Sequence, residues 1–444
     1  MKRAWVLLFS VAIANAADQS GRGPLQLSLK RAVEISISPE GNPNIQLSGE
    51  ALKQAQERSA EARAALLPDL EASFNDRSST TNLGALGITS VALPIPGFHF
   101  PTFVGPYTTM DARVTGSQTV FDFSSIRRFQ ASKLGISAAK SDVSNTEDRV
   151  AADVARAYLA AVKSDTDVET AQANVTLSQA VLTQAENQKK AGTGTGIEIT
   201  RAKVQLANDQ QHLLVTQNAR RAAHLRLLRT MGLRLDTEAE LTDRLQYAPV
   251  DAMTIEQAKA QALESRPDYK AQQEREANAR LSASATRMER LPSLQAFGDY
   301  GAIGTGMNSA LPTRTYGVSL RVPVFDGGRR DARREESASQ YRSERVRSND
   351  LREQVELDVR LALDALKSAD DEVKVAKDGL ELADAELTQA RRRYEAGVTN
   401  SIEVTDAQTR LERARDNQTA ALYNYSLARI DLAQALGKVK SILQ

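Results

Sequence analysis

The stretch VELDVRLALDALKSADDEVKVAKDGLELADAELTQARRRY, residues 355–394, decides the fold. Alternating steps of four and three select Val355, Val359, Ala362, Leu366, Ala369, Val373, Ala376, Leu380, Ala383, Leu387, Ala390 and Tyr394. All are apolar, and Asp, Glu, Lys, Arg and Gln fill most of the space between them. An apolar spacing averaging about 3.5 residues predicts a long supercoiled helix. Alternate seam positions are mostly Ala, which lets a partner helix approach closely. The same seam stands 205 residues earlier, from Val150, Val154 and Ala157 to Leu182, Ala185 and Lys189. Leu-Thr-Gln-Ala occurs in both copies, at 182–185 and 387–390. A repeat of this period means two copies of one large unit rather than a solenoid of small ones.

Composition narrows the function. Among 444 residues only 5% are aromatic, which suits long helices better than a thick globular core. The absence of Cys removes disulfides, thiolate catalysis and Cys-based zinc sites. His99, His212 and His224 are too scattered for a metal cluster, and no nucleophile–base pair supports a hydrolase. Asp326-Gly327-Gly328 lacks the Gly-Lys-Ser/Thr ending of a phosphate loop, and no cofactor motif is found. The formal charge is +1, or −1 without Lys2 and Arg3, so no nucleic-acid partner is expected.

Residues 1–16 read as a signal peptide, with Lys2 and Arg3, an apolar run and Ala14-Asn15-Ala16 as cleavage site. A membrane anchor would need a longer apolar run. With no Cys, a lipoprotein-type acyl anchor is not expected. The exported chain is then either soluble or inserted as a β-barrel.

The first structural repeat spans 17–232. Short helices cover 27–37 and 45–66, and the second ends at Leu67-Pro68, because Pro68 removes a helix donor. Strand alternation covers about 69–80 and 112–121. Asp122 is placed to cap a helical hairpin of about 125–231, turning at Gly192, Thr193 and Gly194. Residues 233–253 read as an irregular segment. The second repeat, 254–444, has helices to Leu291-Pro292, strands of about 293–300 and 315–324, and Asp326 as cap. Its hairpin, about 328–436, turns at Gly397, Val398 and Thr399.

Ten residues is the length of a tilted strand that crosses a bilayer. Val318, Leu320 and Val322 alternate with Gly317, Ser319 and Arg321, a lipid-out, water-in pattern. Four strands cannot close a useful barrel, and open edges in lipid are forbidden, so spanning strands require several chains to share one barrel. A second stripe on the long helix, Leu361, Ala365, Ser368, Val375, Gly379 and Leu382, calls for a second helical neighbour. The competing reading is a soluble periplasmic coiled-coil scaffold in which the strands are loops.

The order of motifs resembles the TolC-like outer membrane efflux proteins over nearly the whole mature chain. The carriers are the repeat itself, Leu291-Pro292-Ser293-Leu294 before a strand, Val318 to Val324 running into Phe325-Asp326-Gly327-Gly328-Arg329, and Tyr394-Glu395-Ala396-Gly397 before Ser401-Ile402-Glu403-Val404-Thr405-Asp406-Ala407-Gln408. The resemblance implies a mainly α protein with a membrane β-barrel portion. A homotrimer would build a twelve-stranded barrel, four strands per chain, continuous with a long periplasmic α-helical barrel. It would lie in the outer membrane, in contact with its lipid, and extend into the periplasm. A periplasmic adaptor and an inner-membrane transporter would dock at the hairpin tips, and no reaction would be catalysed. Cargo would be small molecules such as drugs, toxic compounds or metal ions; type I protein secretion is the alternative.

The resemblance also places acidic rings at the periplasmic aperture, matching Glu403 and Asp406 here. Three apart, they share a helical face. Glu403 also fits a capping box on Asn400, and Glu198 one on Thr195. Arg201 stands opposite Asp406 in the repeat, where many relatives have a small or acidic residue, and an Arg201–Asp406 pair between neighbouring hairpins would latch the tip. The aromatic loop 95–101 reads as a packed surface loop or a plug of the outer mouth.

Overall fold

The computed structural model describes residues 25–87, 101–249, 253–399 and 401–442. The signal peptide, loop residues 95–100 with His99, and Asn400 lie outside the described residues. In chain order the elements are β1 (Leu25–Leu27), α1 (Leu29–Ile37), α2 (Pro43–Ala64), β2 (Asp69–Asn82), β3 (Phe103–Phe121), α3 (Phe123–Lys190), α4 (Gly196–Met231), β4 (Ala239–Leu241), α5 (Ile255–Ser265), α6 (Pro267–Met288), β5 (Ser293–Gly304), β6 (Leu311–Arg321), α7 (Arg329–Glu395), α8 (Ser401–Ala435) and α9 (Val439–Ile442).

The two long helices run 68 and 67 residues, each about 100 Å at 1.5 Å per residue. The seam is their buried face: Val355 and Val359 are 0% exposed, and Leu387, Ala390 and Tyr394 are buried near the far end. Helix α4 packs on α3, α3 on α8, and α8 on α7, so α4 and α7 form the flanks. Both flanks carry uncovered apolar side chains, Leu214 and Val215 on α4 and Val375 and Leu382 on α7. The second stripe of α7 therefore faces away from its own chain.

The duplication extends to individual hydrogen bonds. Helix α4 ends at Gly232 (φ +78°), with Leu233 N–H donating to Leu228 O at 2.9 Å. Helix α8 is followed by Gly437 (φ +67°), with Lys438 N–H donating to Ala433 O at 2.8 Å. These are the same left-handed C-terminal motif, 205 residues apart. Each glycine abuts the residue or residues just before a proline-initiated 22-residue helix, α2 or α6. A Cβ would meet Gly41 O at 2.6 Å at Gly232, and Arg266 Cα at 2.8 Å at Gly437.

Strands β2-β3-β5-β6 form one antiparallel sheet in that order. Its register sorts the side chains. Leu70, Gly116, Gly298 and Tyr316 lie across from one another on one face, and Glu71, Thr115, Asp299 and Thr315 on the other. Leu70, Phe74, Tyr316, Val318 and Leu320 leave the apolar face more than half exposed. On the polar face Arg113 donates to Asp111 at 2.8 Å and Asp299 at 3.2 Å. Strands β2 and β6 are the open edges.

The structure changes five of these expectations. Leu27 belongs to β1, not to a helix, and β1 pairs in parallel with β4 inside the 233–253 segment. The buried Tyr158 hydroxyl donates to Leu27 O at 2.8 Å and fixes this pair to α3. Helix α2 stops at Ala64, short of 66. Strand β3 starts at Phe103 rather than 112, and β5 continues to Gly304. Glycine weakens a strand interior, yet the ladder runs through Gly301 and Gly304 and through Pro312, which an edge strand tolerates. Strand β6 ends at Arg321, three residues before the alternation stops, because Pro323 offers no amide for the ladder.

Candidate functional site

Among the described residues no helix is long and apolar enough to cross a membrane. The sheet, with one apolar face, is the part suited to lipid, and the helical body projects from it. The junctions are built alike. Pro68 and Pro292 stand just before β2 and β5. The Asp122 carboxylate accepts from Ser124 N–H at 2.9 Å and Ser125 N–H at 3.3 Å, capping α3. Asp326 accepts from Arg330 N–H at 3.2 Å, reaching α7 across Gly327 and Gly328, whose φ values are +68° and +85°. Two successive left-handed residues explain the Gly-Gly pair.

At the other end both hairpins turn through one motif. Gly192 has φ +79°, and Thr193 N–H donates to Gln188 O at 3.0 Å. Gly397 has φ +69°, and Val398 N–H donates to Arg393 O at 2.9 Å. Glu198 closes the start of α4 by accepting from Thr195 N–H at 2.9 Å. Glu403 is held differently: it accepts from Arg393 at 2.8 Å and from the Thr399 hydroxyl. Its proposed partner Asn400 lies outside the described residues.

The two tips are tied together. Tyr394 of α7 is 4% exposed and donates to Gln188 Oε1 of α3 at 2.5 Å. Burial pushes its hydroxyl pKa up, and the Glu198 carboxylate adds to the shift. In the sequence Tyr394 is the last position of the seam and its single aromatic residue, the one signal that sets it apart. Around it Leu182, Ala202, Leu387, Val404 and Leu411 make one apolar cluster from all four long helices.

Arg201 and Asp406 are both exposed, and neither has an ion-pair partner among the described residues. The fold therefore leaves Asp406 open beside the tip, one helical turn from the anchored Glu403, and does not join it to Arg201 within one chain. Gly192, Thr193, Gly397 and Val398 are exposed at the ends of the hairpins, with Gly194 and Thr399 half-buried beside them. Among the described residues no group of three His, Asp or Glu side chains is arranged to hold a metal ion.

Comparison with known proteins agrees with this geometry. A family profile described as outer membrane efflux protein matches residues 35–233 and 259–438. The pyoverdine export outer membrane protein OpmQ of Pseudomonas putida is 24% identical over 91% of this chain and 84% of its own length. The alkaline protease secretion protein AprF of Pseudomonas aeruginosa is 22% identical over 88% of this chain and 81% of its own. The fold matches the Campylobacter jejuni CmeC outer membrane channel with a TM-score of 0.78 at 16% identity, covering 92% of this chain and 85% of that one. The chain thus belongs to the outer membrane efflux protein family, placed in the outer membrane with its helical body in the periplasm.

Proposed function

We propose that three copies assemble into the exit duct of a tripartite export system for small molecules. The observation that carries this reading is the pairing of open edges with uncovered flanks. One chain leaves β2 and β6 unpaired, and it leaves apolar stripes on α4 and α7 in water. Unpaired strand edges cannot stand in lipid. A neighbouring copy joins β6 to β2 and α7 to α4 in a single act, and a ring of three gives twelve strands.

In that ring the polar sheet face lines the lumen and the tips narrow its periplasmic end. Asp406 and Glu403 supply the aperture carboxylates, which favour cations. Arg201 of one protomer stands ready to pair with Asp406 of the next. The tip residues from Gly192 to Gly194 and from Gly397 to Thr399 are the contact points for a periplasmic adaptor, and an inner-membrane transporter supplies the energy. The name of OpmQ, a pyoverdine exporter, favours small cargo; that of AprF, a protease secretion protein, keeps type I protein secretion as the second reading.

Light scattering of the detergent-extracted protein, corrected for bound detergent, tests the assembly. Three chains per particle are expected, and a monomer released without detergent would overturn the reading. Loss of resistance to small toxic compounds on deletion separates small-molecule export from protein secretion.

A further inference from the structure

A half-buried carboxyl group on α8, with one oxygen fully enclosed, has no part in the duct. Glu412 lies about 16 Å up α8 from its start at Ser401. Its Oε1 is buried and accepts no hydrogen bond. One turn back on the same helix, Gln408 is 1% exposed, and its Nε2 is buried without a partner as well. Across the gap stands Asp209 of α4, 7% exposed. Asp209 accepts from the Ser178 hydroxyl of α3 and from Gln205 Nε2 at 2.9 Å. One carboxyl from each hairpin thus faces the same seam, Asp209 buried and Glu412 with its Oε1 enclosed.

The surroundings offer little compensation. On its own helix Glu412 sees Asp416 and Arg415, and on α4 it sees Asp209. Arg415 is partly drawn off, donating to Asn174 Oδ1 of α3 at 3.4 Å. From α3 the nearby groups, Ser178 and Asn174, are neutral. Glu386 of α7 is occupied by Arg410. Asp416 in turn faces His212 of α4 and Lys163 and Asp167 of α3. Burial, then Asp209 and Asp416, push the Glu412 carboxyl up to about 7.

We propose that Glu412 is a proton-operated latch between the two hairpins of each chain, closed when its O–H donates to Asp209 and loosened when it ionises. Protonated, Glu412 supplies the donor that a pair of carboxylates lacks. Ionised, it sets two negative charges against each other in a poorly solvated seam. The sign follows from the raised pKa. The folded seam binds a proton that the unfolded chain would release, so the packing is strongest at acid pH and weakens as pH rises through about 7. With that midpoint about nine in ten copies are protonated one pH unit below it and about one in ten one unit above. The proposal rests on the duct reading, because it gives the latch the aperture to control.

The test is single-channel conductance of the full-length protein in planar bilayers from pH 5.5 to 8.5. Wild type is expected to show a several-fold rise in conductance with a midpoint near 7. Glu412→Gln, neutral at every pH, is expected to abolish the rise and hold the low value. Asp209→Asn is expected to move the midpoint down. The chain has no native Cys, so spin labels at Thr193→Cys and Val398→Cys report the tip separation directly, which should grow over the same pH range. A Glu412→Gln channel that keeps the wild-type step, or tips that stay put between pH 6 and 8, overturns the latch alone. A protein that forms no pores at any pH overturns the duct reading, and the latch with it.

Discussion

Truncating the outward stripe of α7 gives the most direct test of assembly. Val375 is 73% exposed and Leu382 72% exposed in the single chain. The double variant Val375→Ala with Leu382→Ala removes two and three carbon atoms. At about 0.8 kcal/mol per buried CH₂, scaled by the exposed fraction, the loss is about 1.2 kcal/mol at Val375 and about 1.7 kcal/mol at Leu382 if a neighbour covers them fully. Three interfaces per ring raise this to about 9 kcal/mol per trimer. Because three chains separate at once, the midpoint concentration for dissociation rises by about three decades. The lone chain should hardly notice, since exposed substitutions stay within about 0.5 kcal/mol. Light scattering of detergent-solubilised protein across a dilution series reads the first effect, and helical circular dichroism at high concentration reads the second. A variant that dissociates at the wild-type concentration would show that the stripe faces solvent or cargo, and the reasoning from uncovered flanks would fail.

Five further variants have expected outcomes. Gly232→Ala should cost about 2–3 kcal/mol in a thermal melt, because a left-handed backbone and a Cβ 2.6 Å from Gly41 O act together. Gly192→Ala, with the same φ sign but open space, should cost only about 1 kcal/mol. Tyr158→Phe should cost about 1 kcal/mol by removing the hydroxyl that joins α3 to Leu27 O and the Asp243 carboxylate, and limited proteolysis should then cut residues 233–249 faster. Asp406→Asn should lower the cation preference of the pore, read as a reversal potential in a salt gradient, while Arg201→Ala should raise conductance if Arg201 pairs with Asp406 of a neighbour.

What could be read in advance follows from the range of each interaction. The seam from Val355 to Tyr394 and its copy from Val150 are local periodicities, so they are visible in one dimension. The turns at Gly192 and Gly397 are visible for the same reason, since a left-handed residue leaves a glycine behind. Three-residue strands such as β1 and β4 are too short to show a period, and their pairing spans more than 200 residues. Glycines 301 and 304 and Pro312 carry a local signal that the sheet overrides. The Tyr394–Gln188 bond and the meeting of Glu412 with Asp209 depend on how one hairpin lies on the other, and no spacing within a single helix encodes that. Asp406 lay within reach of the motif, but its freedom from Arg201 in one chain did not.

The matched lengths of α3 and α7 have an engineering consequence. One inserted residue would rotate every later side chain by about 100° and turn the seam away from its partner. An insertion in one half only would also set the two tips at different heights and part Tyr394 from Gln188. The shaft can therefore lengthen or shorten only by whole heptads, in both halves at once. Its reach changes in increments of about 10 Å. The gap this protein can bridge between the outer membrane and whatever stands opposite is thus quantised, and a cell with a slightly wider envelope must move the opposing machinery rather than stretch the shaft.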